Sequence, residues 1–176
     1  MDNKATLIDR IHTLTDKQAC YIAKSITQEI FTQLPSAPSF DELGTQMKNL
    51  ASDASIKFDL NATPEWYATE ISAEISGQIA RLLLETLATQ SELVDLVDQA
   101  IDRYEDESLD LGIISVGVAV ALVYVAISGN VEVDLGWFKF KKRGLNSKQQ
   151  KEVVEKTLPQ VVKAFVGGIN PNTTDG

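Results

Sequence analysis

The residues that could do chemistry are few, and their spacing works against the familiar uses. His12 is the only histidine and Cys20 the only cysteine. They lie on either side of an expected helix boundary, whereas a thiolate–imidazole pair or a mixed metal site needs side chains held in contact at specific geometry. The arrangement of helical ribonucleases, Arg followed four to six residues later by His, is not matched, because Arg10 stands only two residues before His12. The carboxylates Glu105, Asp106, Glu107 and Asp110 could gather round a cation, but they lack the alternating ligands and the glycine of a calcium loop and read more simply as a solvated helix end. No phosphate loop, dinucleotide fingerprint, zinc-protease helix, paired-cysteine motif or nucleophile elbow occurs. The pattern therefore leads us to expect no enzymatic activity, no cofactor, no metal and no evident small-molecule substrate.

Charge narrows the partners. The 176-residue chain carries a net charge of −9. Residues 1–110 hold 20 acidic and 8 basic side chains, against 5 acidic and 8 basic in residues 111–176. An acidic body lacks the clustered Lys and Arg that a phosphate backbone requires, so nucleic acid is not an expected partner. A single cysteine cannot close an intramolecular disulfide and fits a reducing compartment. The first ten residues carry charges where the apolar core of a signal peptide would begin, so the helical body is expected to be cytoplasmic.

The two electrostatic halves meet at the most unusual stretch of the chain, Leu111 to Val131, which is uncharged over 21 residues. As one helix it would span about 32 Å, close to the hydrocarbon thickness of a bilayer. Ile113, Ile114, Val116, Val118, Val120, Leu122, Tyr124, Val125 and Ile127 would then face lipid. Within the run, large residues from Val116 to Tyr124 alternate with mostly small ones, a pattern that also suits a buried core element. Just beyond it stand Trp137, Phe138, Lys139, Phe140, Lys141, Lys142 and Arg143, the aromatic and basic mixture that a membrane–water interface selects. The same residues would serve a hairpin whose aromatics pack on the body while its lysines are solvated.

The remaining elements would position these segments. Leu7, Ile8, Ile11 and Leu14 mark a short helix, and Thr15 to Gln18 is a capping box for a second, bearing Ala19, Ile22, Ile26 and Ile30. Ser39 to Glu42 is a second capping box, opening a helix with Leu43, Met47 and Leu50 inward. Thr63-Pro64-Glu65 predicts a helix from Pro64 to about Ala88, and Ser91 is expected to cap the next, which ends in the acidic run before Leu111. Ala68, Ser72, Ser76 and Ala80 form a small-residue stripe suited to close helix packing, within one chain or between copies. After the apolar run the period changes to two: Val131–Leu135 and Trp137–Lys141 alternate about Gly136, predicting a β-hairpin. Ser147 to Gln150 is expected to cap a last helix that Pro159 kinks and Gly167-Gly168 ends.

The expected fold is thus mainly α. Residues 1–110 form an acidic helical bundle, 111–131 a candidate transmembrane helix, 132–168 a basic hairpin with a C-terminal helix, and 169–176 a disordered tail. The expected function is a non-enzymatic, membrane-anchored helical interaction protein with a single span, working with membrane lipid and with a protein partner or a second copy of itself. Orientation raises a conflict. Basic residues after the span place the C-terminus in the cytoplasm, yet nothing in the sequence would export the acidic body. Two other readings answer it: a pore-forming or membrane-perturbing effector whose segment inserts on activation, and a soluble adaptor that buries the segment in its core or at a subunit interface.

Overall fold

A computed structural model describes residues 3–34, 37–57, 60–104, 112–129 and 131–168. Among them are seven α-helices: α1 (Asn3–Thr13), α2 (Asp16–Gln33), α3 (Phe40–Asp53), α4 (Ala73–Ala88), α5 (Val94–Asp102), α6 (Val116–Ile127) and α7 (Ser147–Gly168). Between α6 and α7 lie strands β1 (Val131–Asp134) and β2 (Lys139–Lys142). The chain is mainly helical with a short antiparallel hairpin and a C-terminal helix, as expected. The acidic run 105–110 and the tail 169–176 lie outside the described residues.

Local capping starts α2 and α3 where the sequence places it, whereas Ser91 does not cap α5, whose N-cap is Leu93 without a side-chain bond. At α2 the Thr15 hydroxyl accepts from the Gln18 amide and the Gln18 side chain accepts from the Thr15 amide; Ser39 and Glu42 do the same at α3. Each exchange satisfies two amides that a helix start leaves orphaned. At α7 the box sits one residue earlier than expected, with Asn146 and Gln149 exchanging bonds of 2.9 and 3.1 Å. The helix then runs through Pro159 to Gly168, burying Val154, Leu158, Val161 and Phe165.

The helix expected from Pro64 does not form there. Trp66–Ala68 is a single 3-10 turn entered through Glu65 in the left-handed region at φ 51°, and α4 begins only at Ala73. The residues between are used for pairing. The Ile71 amide donates to the Ile114 carbonyl at 2.9 Å and the Val116 amide to the Thr69 carbonyl at 2.8 Å, a lone antiparallel bridge centred on Glu70 and Ser115. Two long-range hydrogen bonds outweigh the local preference to start the helix early.

Those bonds also set where the apolar run becomes helical, and here the expectation of one long helix over Leu111–Val131 is corrected. Ser115 caps α6, its hydroxyl accepting from the Val118 amide, and Ser128 ends the helix in extended backbone. Twelve residues make about 18 Å, well short of a bilayer core. No described helix is long and apolar enough to cross a membrane. Instead α6 lies inside the bundle against α2, α3, α4 and α7. Ile114, Val116, Val120, Leu122, Val125 and Ile127 are buried in this core, while Ile113, Val118 and Tyr124 are half-buried at its margin. Close approach is built in at Gly117, where a Cβ would come within 2.7 Å of the Tyr67 carbonyl oxygen. Ser76, from the small-residue stripe, is also used within the chain: its hydroxyl donates to the Ile71 carbonyl at 2.9 Å and accepts from the Ile114 amide at 3.3 Å.

Three different elements close the other end of α6. The Gln90 side chain donates to the Ala126 carbonyl at 2.6 Å, the Leu145 amide to the Ile127 carbonyl at 3.4 Å, and Lys142 Nζ to the Ser128 carbonyl at 2.6 Å. A helix end carries carbonyls with no intrahelical partner, and leaving them bare in an apolar core is costly. Here the Ala126, Ile127 and Ser128 carbonyls receive donors from elsewhere in the fold. Gly129 and Gly144 bring the two chain segments together, since a Cβ on Gly129 would lie 2.8 Å from the Gly144 amide nitrogen.

Candidate functional site

The hairpin pairs Val131 with Lys142, Glu132 with Lys141, Val133 with Phe140 and Asp134 with Lys139. One face therefore carries Val131, Val133, Phe140 and Lys142, all buried, and the other Glu132, Asp134, Lys139 and Lys141, all exposed. Arg143 is exposed, and Trp137 and Phe138 are half-buried. The aromatic and basic residues grouped by the sequence thus divide by strand parity. Lys142 departs from the expectation of solvated lysines: burial pushes its ammonium down to about 8, opposed by the charge of Glu92. It serves the end of α6, with the Arg143 carbonyl as a second acceptor at 3.2 Å.

The turn of the hairpin presents Trp137. Gly136 adopts φ 81°, and its amide donates to the Asp134 carboxylate at 2.9 Å. That bond, then the Lys139 ammonium 3.3 Å away, holds the Asp134 carboxyl below its ordinary value. The turn closes through the Leu135 amide on the Phe138 carbonyl at 2.8 Å. Trp137 is thereby carried over the exposed side of α2.

A cleft of about 460 Å³ opens there, between α2, the end of α5 and the hairpin turn. Tyr21, Ser25, Gln28 and Glu29 supply its floor at the spacing of one helical face, and Arg103 and Trp137 supply its wall. The guanidinium of Arg103 lies over the indole of Trp137, 4.1 Å from the ring centroid. The indole Nε1 donates to Glu29 Oε2 at 2.9 Å. Tyr21 is braced edge-on by Tyr104, their centroids 5.3 Å apart. One aromatic ring thus holds a cation at its face and a carboxylate at its edge.

The cleft unites Trp137, which the sequence singled out as interfacial, with six α2 residues and Arg103, which it did not. The sequence signal was present: Tyr21, Ser25 and Glu29 recur every fourth residue on the polar face of α2. His12 and Cys20 are not brought together. His12 Nε2 pairs with Glu85 Oε1 at 2.5 Å on the surface, whereas Cys20 is buried in the core. Among the described residues, no group of three or more His, Cys, Asp or Glu side chains is arranged to hold a metal ion. No family model, no curated protein and no solved structure matches this chain.

Proposed function

We propose that the chain is a non-enzymatic helical interaction protein that works with its apolar segment folded inside it and presents the α2–hairpin cleft to what it binds. The observation that carries this reading is the enclosure of α6. The helix is apolar on every side and packed by four others, and its end carbonyls are met by Gln90, Leu145 and Lys142. A segment whose polar ends are satisfied by its own fold gains little from moving into lipid. Among the described residues, the cleft is then where charged, aromatic and hydroxyl groups converge at the surface. Fractionation with carbonate and detergent extraction tests the reading. Recovery without detergent as a folded species supports it, and retention in carbonate-washed membranes overturns it in favour of the single-span anchor. Sedimentation of the recovered species reports whether its partner includes a second copy.

A second reading is favoured by one observation, the absence of charge over all 21 residues from Leu111 to Val131. In it the segment leaves the bundle on activation and inserts, as a pore-forming or membrane-perturbing effector would. Dye release from liposomes distinguishes the two, because a protein that keeps α6 in its core releases none.

A further inference from the structure

The cleft holds two opposite charges that do not meet. Glu29 and Arg103 both line it, both touch Trp137, and they form no ion pair with each other. Glu29 is half-buried and Arg103 exposed. Glu29 uses Oε2 for the indole N–H, and its Oε1 accepts no hydrogen bond among the described residues. The Arg103 guanidinium makes no ion pair among them either and rests on the indole face. The other two arginines of the helical body are engaged: Arg10 with Asp98 and Asp102, Arg81 with Asp16 and the Leu14 carbonyl. A guanidinium held over an indole face keeps N–H donors for a further acceptor, which suits a carboxylate. A carboxylate anchored through one oxygen keeps acceptor capacity on the other, which suits an ammonium.

We infer that this cleft binds a small zwitterion, a free α-amino acid, with its carboxylate on Arg103 and its ammonium on Glu29. The volume lies in the range of small-molecule sites. The Tyr21 ring and the Leu135 side chain supply apolar wall for the ligand's side chain, and Ser25 and Gln28 supply hydrogen-bonding groups. A zwitterion adds no net charge, so the net charge of −9 on the chain does not oppose it. The site adds a ligand class where the sequence suggested none, and it does not depend on where α6 resides.

Calorimetric titration of the full chain with each of the common L-α-amino acids tests this. The best binder is then compared with its decarboxylated amine and its deaminated acid. The expected result is binding with a Kd below about 1 mM for at least one amino acid, weakened about tenfold or more in both one-charge analogues. Glu29→Gln and Arg103→Gln should each cost a similar factor without moving the thermal midpoint, since the carboxamide introduced in the first variant keeps an acceptor for the indole. Trp137→Phe keeps the ring and removes the N–H, and should weaken binding by releasing Glu29. The proposal is overturned if no amino acid binds below about 10 mM. Equal binding of the acid or the amine alone, which would make this a one-charge site, also overturns it, as does unchanged affinity in both charge variants.

Discussion

Lys142 Nζ donates to the carbonyl of Ser128 at 2.6 Å, so a charged residue from the hairpin closes the end of the most apolar helix in the molecule. The pairing links two segments that the sequence presents as opposites, an uncharged run and a basic strand. It also means that removing the hairpin would strip α6 of a cap.

Burial depresses the Lys142 ammonium from 10.5 to about 8. Between those values the unfolded chain binds more protons than the folded one, so stability from this group rises as pH goes up from about 8 to about 10.5 and is level below that window. The rise is on the order of 3 kcal/mol at most. Lys142→Met has no such proton to lose. Urea unfolding of both proteins at about pH 7.5, below the window, and at about pH 10, near its top, should show the wild type gaining on the variant. A constant difference would mean that Lys142 ionises normally in the fold.

Leu122 is fully enclosed on α6, and truncating a side chain of that kind costs its transfer free energy and leaves a cavity. Leu122→Ala should lower the unfolding free energy by about 2–5 kcal/mol in buffer without detergent, read as a lower urea midpoint at unchanged slope. A variant as stable as the wild type would show that α6 does not pack in the core.

Ser76 bridges two backbone groups that lie far apart in the chain, the Ile71 carbonyl and the Ile114 amide. Ser76→Ala leaves both without that partner in a buried site and should cost about 1–3 kcal/mol. Hydrogen exchange should be fastest to increase at the Ile114 and Val116 amides, which sit at the bridge, and less so in α7.

Gly129→Ala places a Cβ 2.8 Å from the Gly144 nitrogen, an atom of the backbone that no rotamer change can move aside. The expected loss is about 1–3 kcal/mol by thermal or urea unfolding. Gly136→Ala is a control of a different kind. Nothing stands within 4 Å of its Cβ position, so its cost comes from φ 81° alone.

Much of the helical framework was legible because its signals are local. Thr15 with Gln18 and Ser39 with Glu42 lie three residues apart, and their reciprocal bonds need nothing from the rest of the chain. The start of α4 is not legible for the opposite reason. Thr63-Pro64-Glu65 is a sound helix start in isolation, but Thr69 and Ile71 pair with Ile114 and Val116, which no local window contains. The fate of the apolar run was hidden in the same way. Composition reports that Leu111–Val131 avoids water, yet whether lipid or protein replaces the water depends on Gln90, Lys142 and Leu145 arriving at its end. Lys142 itself could have been read more closely, because the alternation that turns Phe140 inward turns Lys142 inward too. The cleft is not legible in the sequence because the polar face of α2 looks like any solvated helix face until Arg103 and Trp137 are brought over it.

The position of α6 in the chain bears on synthesis. Helices α2, α3 and α4 pack against a helix that begins only at Val116, so they leave the ribosome before their common partner exists. At about 5–20 residues per second, α6 follows the end of α5 by roughly one to several seconds. Through that interval the apolar faces of the earlier helices stand open to water and to one another. Pauses in translation between α5 and α6 should therefore lower the yield of folded protein, read as the soluble folded fraction after synthesis.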